Sequence, residues 1–534
     1  MATSAPLSIL CRYCGNPAVE MHDLPFSQWP TLLGHHTVPT PAQAIEICDV
    51  ISSLQSRVTE IDEDLTRIKL LQDQLLRKRD EALAAVTQHK LLIGPIRRLP
   101  AELLAEIFWF CLPLYDMRHT NFSFKAWHSS LSRRQAPLLL GRVCSLWRMV
   151  TLSTPSLWSS FGALYYDDKF DRTLTGAKTF LARSGTCPLY ISLIDCSSTI
   201  GRTRELVNTV ASYSHQWRTF AIFAKLETVN VLANNVKGAL PLLDTLTLGL
   251  TEGQPLLEQP HAFRNAFEIA PSLRNIVVSN QLSPLQLKLP WSQLTHFCVD
   301  ETLHLKDSLD VLRSCPNLVY LAISRNPTAQ SVTDYPHILH PKLLELRIPA
   351  ANLAGFFESL TLPALRHVRV VDDLVSEPYW DPLPFHCLLA RSQCILDVAS
   401  FEIRSADTLL LWLDTVPSIT DLQITAPLNY ISFVIILQRL TYDILRVKRL
   451  CPKLRAISFP KDCPLDPPAL FAFLNSRRRG LNPRVALLNR ISQVCSSMPE
   501  RALLVGLKHF QNEGLQISFT DPQGVGWLSR MEES

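Results

Sequence analysis

The sequence has little glycine, little methionine and almost no net charge. Its 534 residues contain 17 glycines and 6 methionines, and 52 basic residues nearly balance 48 acidic residues, for a net charge of +4. This glycine share is less than half of the ~7% usual in proteins, so glycine-rich phosphate loops are not expected. Basic clusters such as Arg133-Arg134 and Arg477-Arg478-Arg479 are expected on solvated faces. We therefore expect no nucleic-acid partner.

Secretory and membrane-spanning signals are also missing. The first residues lack the basic and long apolar regions of a secretory signal. Apolar stretches such as residues 431–437 are far shorter than the ~20 residues that span a bilayer. The 14 cysteines, in runs such as Val143-Cys144 and Phe297-Cys298-Val299, are typical of buried thiols in a reducing compartment. We expect a soluble intracellular protein of the cytoplasm or nucleus, without disulfides and without a membrane partner.

Catalytic signatures are absent from the sequence. It contains no GxSxG, HExxH, phosphate-loop or dinucleotide pattern, and no nucleophile can be paired with His119, His128 or His296. The single pair Cys11 and Cys14 is followed by irregularly spaced histidines, which is a weak zinc signal and cannot supply the eight ligands of a RING domain. We expect neither an enzyme nor a resident cofactor or metal.

A heptad pattern follows an irregular, proline-rich leader (residues 1–42). No Gly or Pro interrupts residues 43–93, and apolar residues recur there in steps of four and three, as in the seam of a coiled coil. We predict one long helix with two alternatives for its apolar stripe, which either pairs with a second copy or packs against the following domain. The clearest seam positions are Ile47, Ile51, Leu54, Val58, Ile61, Leu65 and Ile68, and a weaker seam continues to Ile93.

Three spaced motifs come after the break at Gly94-Pro95, which ends the long helix. The first is I-R-R-L-P-A-E-L-L-A-E-I-F (residues 96–108), the second is P-L-L-L-G-R-V-C-S-L-W-R (residues 137–148), and the third is P-S-L-W (residues 155–158). The first two predict helices with apolar stripes. The unit is small and has more apolar surface than it can bury by itself, which is typical of a docking module.

These motifs resemble the F-box, and they are especially similar to large F-box families of mushroom-forming fungi, which a preceding heptad helix also fits. The resemblance covers residues 94–162 and departs from the F-box pattern in a long insertion at residues 113–135. It implies binding to a Skp-type adaptor, and through it to a cullin scaffold and a RING-bound ubiquitin-conjugating enzyme. The resemblance assigns adaptor binding to Leu99, Pro100, Leu103, Leu104, Ile107, Phe108, Val143, Cys144, Trp147 and Trp158.

A repeated pattern, P-x-L-x-x-L-x-h with h apolar, fills residues 163–534. Its spacing indicates a period of about 22–30 residues, close to leucine-rich repeats. The segment L-x-h predicts a short strand, and amphipathic runs before the proline predict helices. The domain resembles the irregular leucine-rich repeats of F-box proteins, without their regular Asn. The anchors are Pro241, Pro271, Pro316, Pro341, Pro363, Pro417 and Pro452, with a looser copy at Leu294 and further strands at residues 187–193, 217–222 and 514–519.

The predicted fold is thus α+β and multidomain: a long N-terminal coiled-coil-type helix, a small all-α F-box, and an α/β leucine-rich-repeat-like solenoid. The resemblance implies a non-catalytic substrate receptor of a Skp–cullin–F-box ubiquitin ligase, whose repeats bind an unknown protein target through the variable positions between the repeated leucines. The alternative is a scaffold that self-associates through residues 43–93 and carries a degenerate F-box that binds no ligase.

Overall fold

The computed structural model divides the chain into two compact units, residues 1–100 and 101–534. It describes residues 29, 38–113, 129–166, 170–196, 200–236, 238, 240–251, 261–279, 284–299, 305–323, 335–350, 353–371, 381–442, 450–478 and 485–528. Cys11, Cys14, His119 and His128 lie outside these ranges. In the part of the chain so described, no helix is long and apolar enough to cross a bilayer.

The first unit is dominated by one continuous helix, α1 (Pro41–Leu92), close to the predicted 43–93. Thr40 caps it, because its hydroxyl accepts from the Gln43 backbone N–H at 3.4 Å while the Gln43 side chain accepts from the Thr40 N–H at 3.0 Å. Pro41 at the first turn has no N–H to leave unsatisfied. A short 3-10 turn, Pro95–Arg98, follows the predicted break.

The second unit opens with two short helices, α2 (Ala101–Phe110) and α3 (Ser145–Ser153), followed by a 3-10 turn at Pro155–Trp158. The rings of Phe108 and Trp147 pack with centroids 4.7 Å apart and join the two helices. The expectation that the Cys144 thiol is buried is wrong, because Cys144 is the exposed residue that immediately precedes α3. Val143, which the resemblance assigns to adaptor binding, is exposed as well.

A parallel sheet of 14 strands forms the rest of the described second unit. Its strands follow one another in chain order, which confirms the predicted α/β repeat architecture. Two short strands, β8 (Ile338–Leu339) and β10 (Leu360–Thr361), pair with each other outside this sheet, and β9 (Glu345–Pro349) pairs directly with β7 (Tyr320–Ile323). The strands of the sheet are β1 (Ser160–Tyr165), β2 (Leu189–Asp195), β3 (Trp217–Ala224), β4 (Thr245–Leu250), β5 (Asn275–Ser279), β6 (His296–Val299), β7 (Tyr320–Ile323), β9 (Glu345–Pro349), β11 (His367–Val371), β12 (Val398–Glu402), β13 (Asp421–Ile424), β14 (Ala456–Ser458), β15 (Arg490–Val494) and β16 (Gln516–Thr520).

Helices connect most of these strands and pack on one face of the sheet. Phe161 of β1 lies against Phe180, with ring centroids 5.5 Å apart, and Phe401 of β12 lies against Trp412 at 6.1 Å. These inward positions form the apolar core. The connecting helices are α4 (Phe170–Arg183), α5 (Ile200–Ala211), α6 (Leu226–Val236), α7 (His261–Asn265), α8 (Leu305–Ser314), α9 (Ala354–Glu358), α10 (Leu383–Ser392), α11 (Ala406–Thr415), α12 (Tyr430–Leu440), α13 (Pro467–Arg478) and α14 (Arg501–Asn512).

The repeated pattern corresponds to one structural unit. In the copy at Pro241, the proline lies in a turn and Leu243, Leu246 and Leu248 are fully buried. The predicted period is too narrow, however. Strand starts are separated by as few as 21 residues (β5 to β6) and as many as 35 (β13 to β14). Strands β12 and β15 lack the anchor proline and were not predicted.

A backbone ladder replaces the missing Asn of the repeat. In each unit, the residue after the first leucine of the pattern donates its N–H to the carbonyl of the equivalent residue one unit earlier, at 2.7 to 2.9 Å. The donors and acceptors of the ladder are main-chain groups, so the position accepts any residue that has a backbone N–H. This explains why irregular repeats still stack. The ladder runs through Arg218, Asp244, Arg274, Thr295, Val319, Leu344, Arg366, Asp397, Thr420, Arg455, Asn489 and Gln516.

The expectation of a solvated cluster at residues 477–479 is wrong for its first member. Arg477 is 5% exposed, and its guanidinium donates to the carbonyls of Leu440, Leu450 and Cys451 at 2.8 to 3.1 Å. Leu440 ends α12, whose last carbonyls have no partner within the helix. The Arg391 guanidinium likewise donates to the carbonyls of Phe357 and Leu360, at and just after the end of α9. These arginines join successive repeats.

Candidate functional site

Helix α2 has two apolar faces, where one stripe was predicted. Leu104 and Phe108 are buried against the unit's interior. Leu103, Ile107 and Phe110 are 51%, 42% and 75% exposed and recur at i, i+4 and i+7, so they share the opposite face. Phe110 was missed by the sequence analysis, although its spacing from Leu103 is the signal that finds it. We call these three residues the α2 stripe.

The second helix repeats this division. Trp147 is half-buried against Phe108, whereas Val143, Leu146 and Met149 are 57%, 36% and 57% exposed. Of the remaining predicted positions, Leu99 is half-buried and Pro100 is exposed, and both belong to the first unit. The described second unit therefore presents apolar side chains from both α2 and α3 to solvent.

Trp158 ties this helical segment to the sheet. It is 2% exposed, its indole N–H donates to the Thr151 carbonyl at 2.8 Å, and its ring packs edge-on against Phe180 at 4.9 Å. With Leu104 and Phe108, it is one of three predicted adaptor-binding residues that lie in the interior. Such residues can shape a docking surface but cannot contact a partner directly.

The second face of the sheet, opposite the helices, carries the middle residue of each L-x-h segment, since side chains alternate along a strand. The strand register aligns these residues in one line, which we call the central row. They are the variable positions expected to meet a target. The central row is Gly162, Ser192, Ala221, Thr247, Val277, Cys298, Ala322, Arg347, Arg369, Ser400, Gln423, Ser458, Ser492 and Ser518.

The chemistry of the central row changes along the sheet. Val277, Cys298 and Ala322 form a buried apolar cluster with Tyr320. The next residue, Arg347, is only 3% exposed, and burial lowers its pKa, with the neighbouring positive charge of Arg369 acting in the same direction.

The last strands present a polar strip. Gln423, Ser458 and Ser492 are half-buried and Ser518 is exposed. The hydroxyls of Ser458 and Ser492 lie 2.7 Å apart, within hydrogen-bond distance. Beside them, Arg490 on β15 reaches Asp421 on β13 at 2.6 Å, across the small side chain of Ala456 on the strand between. The strip is a hydrogen-bonding surface and contains no nucleophile paired with a base among these residues.

A cavity of about 480 Å³ lies beside α3 and is lined by four arginines: Arg133, Arg142, Arg148 and Arg183. The Arg183 guanidinium stacks 4.4 Å above the Trp158 ring. Arg142 donates weakly to the Arg133 carbonyl at 3.4 Å. Among the described residues, no carboxylate lines the cavity.

Burial suppresses the reactivity of several thiols. It raises the pKa of Cys315, Cys451 and Cys463 to about 12 and that of Cys495 to about 11. Thiolate is the reactive form, so these groups are inert near neutral pH. Among the described residues, no cluster of three or more His, Cys, Asp or Glu side chains could hold a metal ion.

Comparisons with known proteins give likenesses to solved structures and none to a family model or a curated protein. The structure of the chain is similar to that of the leucine-rich repeat-containing protein LegL7 from Legionella pneumophila, with 11% identity and a TM-score of 0.36, over 57% of this chain and 92% of that chain. The assignment of a leucine-rich-repeat-like architecture rests on the strand order and register given above.

Proposed function

We propose that the chain is a non-catalytic substrate receptor of a Skp–cullin–F-box ubiquitin ligase. In this proposal the helical segment at the start of the second unit docks a Skp-type adaptor, and the repeat sheet binds a protein target for ubiquitination. The observation that carries the proposal is the α2 stripe. Three large apolar side chains on one face of a short helix remain exposed, which is typical of a surface that a partner covers.

The division of labour within the F-box-like motif supports this function. Leu104, Phe108 and Trp158 hold the helices together, so that Leu103 and Ile107 are displayed on a rigid element. A preorganised apolar surface binds with a smaller entropic cost than a mobile one. Met149 of α3 and Val143, just before this helix, add exposed apolar area.

The polar strip is the surface we assign to the target. Its side chains come from adjacent strands, which lie ~4.8 Å apart, so a partner can contact several repeats at once. Hydroxyls, an amide and the Arg490–Asp421 pair offer donors and acceptors in fixed positions. Such surfaces give specificity by hydrogen bonding.

The test is binding of purified Skp-type adaptor to the full chain, measured by isothermal titration. We compare the native chain with Leu103→Glu/Ile107→Glu. The matched control is Ile431→Glu/Ile435→Glu, which makes the same change at the same i, i+4 spacing at two exposed positions of α12. Replacing Trp147 is less informative, because its packing on Phe108 would confound binding with folding.

We expect the α2 double variant to lose at least 100-fold in affinity while its circular dichroism matches the native chain, and the α12 variant to bind normally. Equal binding by all three proteins would place docking elsewhere. No binding by the native chain would refute the receptor function and leave the coiled-coil scaffold as the working hypothesis.

A further inference from the structure

Within the described ranges, no counter-charge balances the positive charge of the arginine-lined cavity. None of Arg133, Arg142, Arg148 and Arg183 forms an ion pair with a carboxylate of the described residues, and the single hydrogen bond from their guanidinium groups is the 3.4 Å contact of Arg142. Each guanidinium has five N–H donors. Four like charges around one cavity repel one another, so an anion in the cavity would stabilise them.

The walls of the same cavity are mostly apolar. Pro137, Leu138, Leu152 and Trp158 line it, and its volume of about 480 Å³ is within the range of ~300–1,000 Å³ found for small-molecule sites. An apolar wall with a basic rim fits a ligand that has an organic body and a multiply charged head. A phosphate group carries close to two negative charges at pH 7 and has three acceptor oxygens, which suit guanidinium forks.

We propose that this cavity binds a small organic phosphate, with the arginines holding the phosphate and the apolar wall holding the organic part. Arg183 is positioned by its stacking on Trp158, and Arg148 by helix α3. The site lies beside the proposed docking helices and is distinct from the target-binding strip.

Phenyl phosphate and inorganic phosphate serve as probes, titrated into the full chain at pH 7.5 and ~0.15 M salt, where long-range attraction is screened within ~8 Å. We compare the native chain with Arg142→Gln/Arg148→Gln. The control is Arg204→Gln/Arg218→Gln, which removes the same charge at two exposed positions outside the cavity lining.

We expect phenyl phosphate to bind more tightly than inorganic phosphate, and the cavity variant to raise its dissociation constant at least tenfold while the control changes it less than twofold. Absence of binding to the native chain overturns the proposal. Equal losses in the two variants would indicate diffuse attraction and would overturn it as well.

A second, independent observation concerns helix α1. Its seam side chains are exposed within the first unit: Ile51 by 47%, Val58 by 58%, Ile61 by 47% and Leu65 by 48%. A helix of 52 residues is about 78 Å long. Most helical stability in water comes from packing of an apolar face, so this stripe requires a partner.

The charges beside the seam identify that partner. With Ile51 at a and Leu54 at d of the heptad, Arg57 and Asp64 fall at g positions, and Asp62 and Lys69 at the e positions five residues after them. In a parallel, in-register pair, the g residue of one helix meets the e residue of the other. Arg57 then faces Asp62 of the second copy, and Asp64 faces Lys69, so both pairs are attractive.

A parallel, in-register alignment also determines what Gln72, a polar residue of the seam, contacts. Gln72 is at a, so in a parallel, in-register assembly it meets Gln72 of another copy, and the amides can bond to each other. An antiparallel pair would place it against an apolar d residue. The existing partners of Arg57 and Asp64 are the exposed intrahelical contacts with Glu60 at 2.9 Å and Arg67 at 3.5 Å, which are worth little.

We infer that the chain self-associates through a parallel, in-register coiled coil of α1. Isoleucine at d, as at Ile61 and Ile68, favours more than two chains, so we expect about three times the 60.3 kDa of one chain by light scattering. Ile61→Asp should give monomers. A monomeric native chain overturns the inference.

Complementary charge variants test the alignment. Arg57→Glu alone places a second carboxylate against Asp62, and Asp62→Lys alone places an ammonium group against Arg57, so each protein by itself should associate at least tenfold more weakly. Mixed together, the two should recover most of the association, because in a three-chain assembly that contains both variants two of the three g–e contacts join opposite charges. An antiparallel or shifted alignment predicts no such recovery, and its absence would overturn the parallel, in-register arrangement.

Discussion

Replacing Arg477 by alanine should weaken the joint between two late repeats. The native guanidinium makes four hydrogen bonds to the carbonyls of Leu440, Leu450 and Cys451. Alanine leaves three carbonyls without this donor, at about 1–3 kcal/mol each. Burial lowers the pKa of Arg477, which shows that removing its charge from water costs the native protein some stability. The alanine variant does not have this desolvation cost. The net loss in the free energy of unfolding should be about 3 kcal/mol.

The assay is urea unfolding followed by circular dichroism, with hydrogen exchange of the amides near residues 437–454 to locate the effect. Arg439→Ala is the control, because this neighbouring arginine is exposed and its loss should cost less than about 0.5 kcal/mol. Arg477→Lys should behave much like alanine, since a single ammonium cannot span the three carbonyls. Equal stabilities of the Arg477 and Arg439 alanine variants would refute the proposed capping role.

The remaining predictions concern pH and close packing. Above pH ~9 the thiols of the unfolded chain ionise, whereas buried thiols of the folded chain, such as Cys315 with a pKa of about 12, stay protonated. The free energy of unfolding should therefore fall by up to about 1.4 kcal/mol per pH unit per buried thiol. Cys315→Ala should make this fall less steep. Burial lowers the pKa of His340, so the folded state keeps this side chain neutral while the unfolded state takes up a proton below pH ~6.5. The free energy of unfolding should therefore decrease as the pH falls below this value. His340→Gln should make that decrease smaller. Gly249→Ala should cost about 1–3 kcal/mol, because its methyl group would overlap the buried ring of Phe223, whereas Gly141→Ala, with space around it, should be near neutral.

Much of the repeat domain could be predicted because its pattern is local. The first leucine, the second leucine and the last apolar residue of P-x-L-x-x-L-x-h are buried in the copy at Pro241 and in the looser copy at Leu294. Two of the missed strands, β12 and β15, show the limit of the pattern. β12 has the small Ala399 where the predicted copies have leucine, isoleucine, valine or phenylalanine. β15 has the buried Gln493 in the last apolar position, where its side chain donates to two carbonyls.

The candidate sites were only partly predictable. The motif placed Leu103, Leu104, Ile107 and Phe108 on one stripe. A helix turns about 100° per residue, so when Leu104 and Phe108 pack against the interior, Leu103 and Ile107 lie on a different face of the helix. Which pair is buried depends on the contact between Phe108 and Trp147, which are far apart in the chain. The arginine cavity was not predicted, because only the fold brings Arg183 beside Arg133, Arg142 and Arg148.

The sequence by itself determined the long helix, the break at Gly94-Pro95 and the α/β repeat, since each depends on residue types within one or two turns. Only the tertiary structure decided which side chains face solvent and which distant groups meet. Arg477 illustrates the difference. In the sequence it is the first of three basic residues, and its burial follows from three carbonyls 26 to 37 residues earlier, whose position depends on how one repeat stacks on the next.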